Sequence, residues 1–97
     1  MTGEGIQPPQ DAIAEQCVIG GMLLSPTAIA GVTAVLTAED FYRPNHGTIF
    51  TAITQLVQAN EPVDPATVSG KLQQIGELER IGGPPYLITL DKAPPSA

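Results

Sequence analysis

The side chains that could perform chemistry are few in this sequence. There is one histidine, one cysteine and three serines in 97 residues. His46 could act as a general base or a metal ligand, but neither a second histidine nor a cysteine stands at ligand spacing from it. We therefore predict that His46 caps a helix or packs against the turn formed by Phe41 and Tyr42. Cys17 falls on an apolar helical stripe, which predicts a buried, unreactive thiol. A small enzyme built on His46, Cys17 or nearby acids is the alternative.

A glycine–lysine pair, Gly70 and Lys71, does not form a phosphate-binding loop. That motif requires a glycine five positions before the pair and a serine or threonine directly after it. These positions hold Pro65 and Leu72. The chain also has no calcium-loop pattern of alternating oxygen ligands. We therefore predict no catalytic residue, no cofactor site and no metal site in this chain.

The acidic side chains are grouped in the segments between the predicted helices. A carboxylate near the start of a helix is stabilised by the helix dipole, and one in a turn is solvated. Helix capping and a solvated acidic surface are therefore the plainer interpretation, and attraction of a basic partner is the alternative. The residues concerned are Glu39, Asp40, Glu61, Asp64, Glu77 and Glu79.

The charge balance and the length narrow the class of protein. The chain has four basic and ten acidic residues and a formal net charge of −6. Nucleic acids and anionic membranes are bound through Lys and Arg, so this balance argues against both, and a DNA-binding helical module is only the alternative function. With 42% apolar residues, a chain of this length can build one core. We predict a disordered lead-in at residues 1–10 and a single domain at residues 11–97.

One uncharged stretch is long enough to span a bilayer. It covers the 23 residues from Gln16 to Ala38, and about 20 apolar residues suffice for a span. However, Ser25 and Pro26 lie in its middle, and a serine followed by a proline is typical of a helix start. We therefore predict two helices that are broken at this point. The first 15 residues contain no Lys or Arg, so we expect no signal peptide.

Apolar residues recur at helical spacing along the chain, and no segment alternates with period two over a useful length. Asn45 is the predicted cap of a third helix, and Asp64 with Pro65 starts a fourth. The glycine pair at residues 20–21 predicts a close approach of another backbone. The fold class is therefore all-α, a compact orthogonal bundle of about five or six short helices. The predicted core consists of Ile13, Cys17, Leu24, Ile29, Val32, Leu36, Phe41, Ile49, Phe50, Ile53, Leu56, Val68, Leu72 and Leu87.

Four sequence motifs follow one another along the chain. After two prolines at 8–9, residues 15–24 read EQCVIGGMLL. Residues 39–46 read EDFYRPNH, and residues 60–64 read NEPVD. The last motif combines GELE at 76–79, IGG at 81–83 and YL at 86–87. Each motif is unspecific alone, but their order and spacing over about residues 8–97 resemble the N-terminal domains of the DnaB family of replicative DNA helicases.

This resemblance implies more than the composition shows. In the family, a helical head is followed by a helical hairpin, and these domains form a collar, a trimer of dimers, on a hexameric motor ring. Primase binds the collar through its C-terminal helicase-binding domain. ATP and Mg belong to a RecA-like C-terminal motor domain. The resemblance therefore predicts a non-catalytic domain whose partners are other subunits and primase, with no direct nucleic-acid binding, no membrane and a cytoplasmic location.

The sequence departs from the family pattern in two places. It stops at residues 94–97, where the family continues into the hairpin, so we expect strong self-association to be lost. Pro84 and Pro85 are stiffer than the variable pair expected before Tyr86. Tyr86 is a predicted partner-interface residue, with core packing as the alternative, because a tyrosine ring can pack while its hydroxyl reaches the surface. Glu15 is the second predicted interface residue, with a first-turn dipole charge as its alternative.

Overall fold

Five α-helices and one short 3-10 helix make up the fold. The computed structural model describes residues 12–92. The α-helices are α1 (Ala12–Leu24), α2 (Pro26–Thr33), α3 (Pro44–Gln58), α4 (Pro65–Gln74) and α5 (Gly83–Asp91), and the 3-10 helix is Ala38–Asp40. Over this range there is no β-strand, which confirms the predicted all-α class. The predicted lead-in at 1–10 and the chain end at 94–97 lie outside the described residues.

Prolines and caps set where the helices begin. Four of the α-helices, α2 to α5, carry proline at their first or second position, where its missing N–H has no partner to lose. The Ser25 side chain accepts from the Ala28 N–H, as expected from the sequence. Asp64 accepts from the Thr67 N–H at 2.8 Å, and the Thr67 hydroxyl accepts from the Asp64 N–H at 2.9 Å.

The start of α3 differs from the prediction. The helix begins at Pro44 with Arg43 at the N-cap, so Asn45 lies inside the first turn and is not the cap. Proline has a fixed φ that suits the first helical position, so the helix begins two residues earlier than a cap at Asn45 would place it. The other end is as predicted, since Asn60 has a φ of 59°, the left-handed conformation that stops a helix.

The core is drawn from all five α-helices and the segments between them. Nine of the predicted core residues are buried: Ile29, Phe41, Ile49, Phe50, Ile53, Leu56, Val68, Leu72 and Leu87. The buried set also contains Ile19, Met22, Leu23, Ala52, Ile81 and Leu90.

The predicted inner face of α1 was wrong. Ile13 and Leu24 are 66% and 62% exposed, and Cys17 is only half-buried. The helix buries Ile19 and Leu23, which widen the predicted stripe, together with Glu15 and Met22. These four stand at offsets 0, 4, 7 and 8 and so share one face. Val32 and Leu36, also predicted as core, are half-buried and pack against the hydrophobic core.

A close backbone approach is found at Gly47, and Gly21 of the predicted pair does not show one. A Cβ on Gly21 would meet nothing within 4 Å. A Cβ on Gly47 would lie 2.7 Å from the carbonyl oxygen of Ala38, so only glycine lets α3 pack this tightly against the 3-10 helix. Within residues 12–92, no helix has both the length and the hydropathy to cross a bilayer.

Candidate functional site

A carboxylate on α1 lies in the interior of the fold. The Glu15 side chain is 1% exposed, and a buried charge is tolerated only when it is paired and hydrogen-bonded. Its Oε2 accepts from the Tyr42 N–H at 2.5 Å, and its Oε1 accepts from the Arg43 N–H at 3.3 Å. Because Arg43 is the N-cap of α3, the carboxylate also sits at the positive end of that helix dipole.

The single histidine pairs with this carboxylate. His46, in the first turn of α3, is fully buried, and its Nδ1 lies 2.7 Å from Glu15 Oε1. A carboxylate can only accept, so Nδ1 carries the hydrogen. The opposite ring nitrogen, Nε2, lies 2.5 Å from the hydroxyl oxygen of Tyr86. His46 therefore joins α1 to α5 through its two nitrogens.

Tyr86 closes this set from α5. Its ring lies edge to edge with the His46 ring and nearly parallel to it, at a centroid distance of 5.9 Å and an interplanar angle of 6°. Its oxygen accepts from the Gln16 Nε2 at 3.3 Å, which leaves its own hydrogen to be donated to His46 Nε2. The donors then run in one direction, from Gln16 through Tyr86 and His46 to Glu15. We call Glu15, His46 and Tyr86 the buried polar cluster.

The buried polar cluster holds several parts of the fold in position. It ties α1, the start of α3, the segment at 41–43 and α5 to one another, and each of its hydrogen-bonding groups has a partner. A general base must come within hydrogen-bond reach of the proton it removes, and the buried Glu15 and His46 are closed to a substrate in this conformation. Hydrogen bonds among fully paired buried groups favour one arrangement of the helices over others.

The structure brings together the two predicted interface residues and corrects the role of one. Glu15 and Tyr86 both contact His46. Both Glu15 oxygens accept from groups of the chain itself, so a partner cannot reach them directly. Tyr86 is half-buried, and its contact with a partner stays a prediction. His46 neither caps a helix nor simply packs on the 41–42 turn; it binds the carboxylate that holds the backbone of that turn.

The remaining predicted chemistry is also accounted for residue by residue. Gly70 and Lys71 lie inside α4, where no phosphate loop can form. In the part of the chain that the structure describes, no three His, Cys, Asp or Glu side chains are grouped so that they could hold a metal. Asp40 accepts from the Thr37 N–H at 2.7 Å, and Asp64 caps α4, which is the capping role predicted for these acids.

One basic side chain is used to fix a turn. Arg80 donates to Thr48 at 2.8 Å, to Asn45 at 3.3 Å and to Glu77. These contacts hold the turn before α5 on the first turns of α3. The guanidinium is therefore engaged within the domain.

The fold and the buried polar cluster define a small all-α domain. A family model described as the DnaB-like helicase N terminal domain matches residues 7–97. The chain belongs to this family.

Named proteins that are similar to this chain support its membership of the family. The chain is 53% identical over 93 residues to the replicative DNA helicase DnaB of Mycobacterium leprae, and 43% identical over 90 residues to that of Geobacillus stearothermophilus. The crystal structure of the N-terminal domain of DnaB helicase from Mycobacterium tuberculosis superposes with a TM-score of 0.87 at 52% identity. That match covers 93% of this chain and 65% of that chain. The two helicase matches cover 96% and 93% of this chain, but only 15% and 20% of the helicases' own lengths.

Proposed function

We propose that this chain is the N-terminal domain of a replicative DNA helicase, where it supports assembly of a hexameric ring collar and the docking of primase. The observation that carries the proposal is the family match over residues 7–97, together with relatives that are named replicative helicases and are several times longer. ATP-driven unwinding, with ATP and Mg, then belongs to a motor domain elsewhere in the whole protein, which acts in the cytoplasm.

Within this proposal, Tyr86 is the docking residue and Glu15 acts behind it. Tyr86 is half-buried, so part of the residue is accessible to a partner while its hydroxyl holds His46 at 2.5 Å. A tyrosine with a packed ring and an accessible edge is a common interface residue. Glu15 holds His46 from the other side and so fixes the orientation of Tyr86 without touching the partner.

The proposal is tested by an amide NMR titration of the labelled chain with the C-terminal domain of primase. We expect amide shifts around α5 and the acidic turns. Tyr86→Ala should weaken the affinity for the primase domain about tenfold, since truncating an interface aromatic commonly costs more than 1 kcal/mol of binding free energy. Tyr42→Ala is the matched control, because Tyr42 is 63% exposed on another segment. If a longer chain that includes the expected hairpin also gives no shifts, primase docking is refuted.

Direct binding to DNA is the competing function, and the structure offers little to support it. The four basic residues of the chain stand at positions 43, 71, 80 and 92 on four different segments, and the guanidinium of Arg80 already contacts Glu77. Binding of duplex DNA at low salt, with an affinity that falls steeply as salt is added, would favour the DNA-binding module over the docking domain.

A further inference from the structure

An apolar groove lies between α2 and the last turns of α3. Its volume is about 640 Å³, within the range of roughly 300–1,000 Å³ that is typical of ligand sites. From α2 it is lined by Pro26, Ile29, Ala30 and Thr33. These residues stand at offsets 0, 3, 4 and 7, so they form a single face of that helix. One wall of the groove is therefore a continuous helix surface.

The opposite wall comes from α3 and the segment that follows it. Thr54 and Val57 face the groove from α3, and Val63 lines it from the connection to α4. Val57 is 43% exposed. Because α2 and the α3 part of the opposite wall are helices whose backbone groups bond within the helix, these parts of the groove offer an extended peptide no strand edge to pair with. A helix satisfies its own backbone and needs only side-chain contacts, as in helix-in-groove recognition.

One end of this groove is acidic. Among the described residues that line it, Glu61 is the one charged side chain, and it is exposed. The last turn of α3 carries no basic residue, so the partial negative charge at the C-terminal end of the helix is not offset by a nearby side chain. The chain as a whole has a net charge of −6, which attracts a cationic partner over a longer range.

We propose that this groove binds an amphipathic helix of a partner protein, with apolar residues on one face and a Lys or Arg beside Glu61. The apolar face would pack on Val57 and Val63 and on the small exposed part of Ile29, which is 5% exposed. The cation would lie against the Glu61 carboxylate and the end of α3. This goes beyond the proposed function, which assigns no partner to α2.

The test is a methyl NMR titration of the chain, labelled at Ile and Val, with a designed Leu–Lys peptide. The peptide is about 14 residues long, or four helical turns, with leucines at helical spacing. We expect saturable shifts at the methyls of Ile29, Val57 and Val63. Ala30→Arg places a large, positively charged side chain in the groove, where it repels the basic peptide. It should weaken binding about tenfold or more. Glu61→Gln should weaken it about threefold.

Two controls separate the groove from general attraction of charges. Gly31→Arg adds the same charge to the opposite face of α2, where a new Cβ meets nothing within 4 Å, and it should leave binding within about twofold. A Leu–Glu peptide of the same pattern should not bind. Thermal melts confirm that each variant is folded.

Several results would overturn the proposal. Equal effects of Ala30→Arg and Gly31→Arg, or shifts spread over the whole surface, would show attraction without a site. Equal binding of the Leu–Glu peptide would show that the groove does not select a basic helix. Shifts of the same methyls with chain concentration alone would assign the groove to a second copy of this chain.

Discussion

Replacing Glu15 with glutamine tests the buried polar cluster most directly. Three donors point at the carboxylate: the Tyr42 N–H at 2.5 Å, the His46 Nδ1 at 2.7 Å and the Arg43 N–H at 3.3 Å. Glutamine has the same shape but only one oxygen. In the better orientation this oxygen keeps the contacts to His46 and Arg43, and the new NH2 group faces the Tyr42 N–H. Two donors then oppose each other in a buried place.

The cost follows from that one opposed pair. A hydrogen bond to a charged acceptor contributes about 1.5–3 kcal/mol, and a buried donor left without an acceptor costs about 1–3 kcal/mol. We therefore expect Glu15→Gln to lower the free energy of unfolding by about 3 kcal/mol. This is a large part of the stability of about 5–15 kcal/mol that is typical of folded domains.

Guanidinium unfolding measures this loss. Glu15→Gln should lower the midpoint with an unchanged slope, whereas Glu39→Gln, at an exposed glutamate, should stay within about 0.5 kcal/mol of the parent. Long-range nitrogen NMR of His46 should show the hydrogen on Nδ1 in the parent chain. A loss below about 1 kcal/mol for Glu15→Gln, or a His46 ring with its hydrogen on Nε2 alone, would refute the donor arrangement derived above.

Three further changes test other parts of the structure. Tyr86→Phe leaves the buried Nε2 of His46 without its donor and should cost about 1–3 kcal/mol in guanidinium unfolding; a neutral result would contradict the hydroxyl contact at 2.5 Å. Gly47→Ala pushes a Cβ to 2.7 Å from the Ala38 carbonyl oxygen and should cost about 1–3 kcal/mol. The matched Gly21→Ala, with open space around it, should instead stabilise the fold by up to about 1 kcal/mol. If both variants change the melting temperature in the same direction, the packing argument is refuted. Asp64→Ala removes the cap of α4 and should cost about 1 kcal/mol, whereas an unchanged melting temperature would show that the cap does not contribute.

The starts and ends of the helices are the part of this fold that local sequence predicts well. Ser25 with Pro26 and Asp64 with Pro65 act through backbone geometry and hydrogen bonds that span three residues, so neighbouring residues contain all the information. Asn60 ends α3 for the same local reason. At the start of α3 the cap lies at Arg43 and not at Asn45, because the preference of Pro44 for the first helical position outweighs the capping preference of Asn45.

The buried polar cluster could not be predicted in this way. Its hydrogen bonds join residues 31, 40 and 70 positions apart in sequence, and no periodicity marks such pairs. The apolar pattern of α1 was misleading for a related reason. A carboxylate is expected to face water, whereas the stripe of Ile13, Cys17 and Leu24 rests on the spacing of apolar residues alone. One sequence feature does indicate the buried glutamate: Glu15, Ile19, Met22 and Leu23 share one helical face, so a single glutamate lies within an apolar stripe.

The two sites of this domain lie at opposite ends of the same helix. His46 is in the first turn of α3 and Val57 in its last, so about 16 Å of helix separates them at 1.5 Å per residue. Effects of substitutions that share no partner and lie more than about 10 Å apart usually add. The buried polar cluster uses α1, the start of α3 and α5, whereas the groove uses α2 and the end of α3. A change at the cluster should therefore alter stability without altering peptide binding, and a change at the groove should do the reverse. A departure from additivity would show that the two sites are coupled, either through α3, which is common to both, or through the packing of α1 on α2.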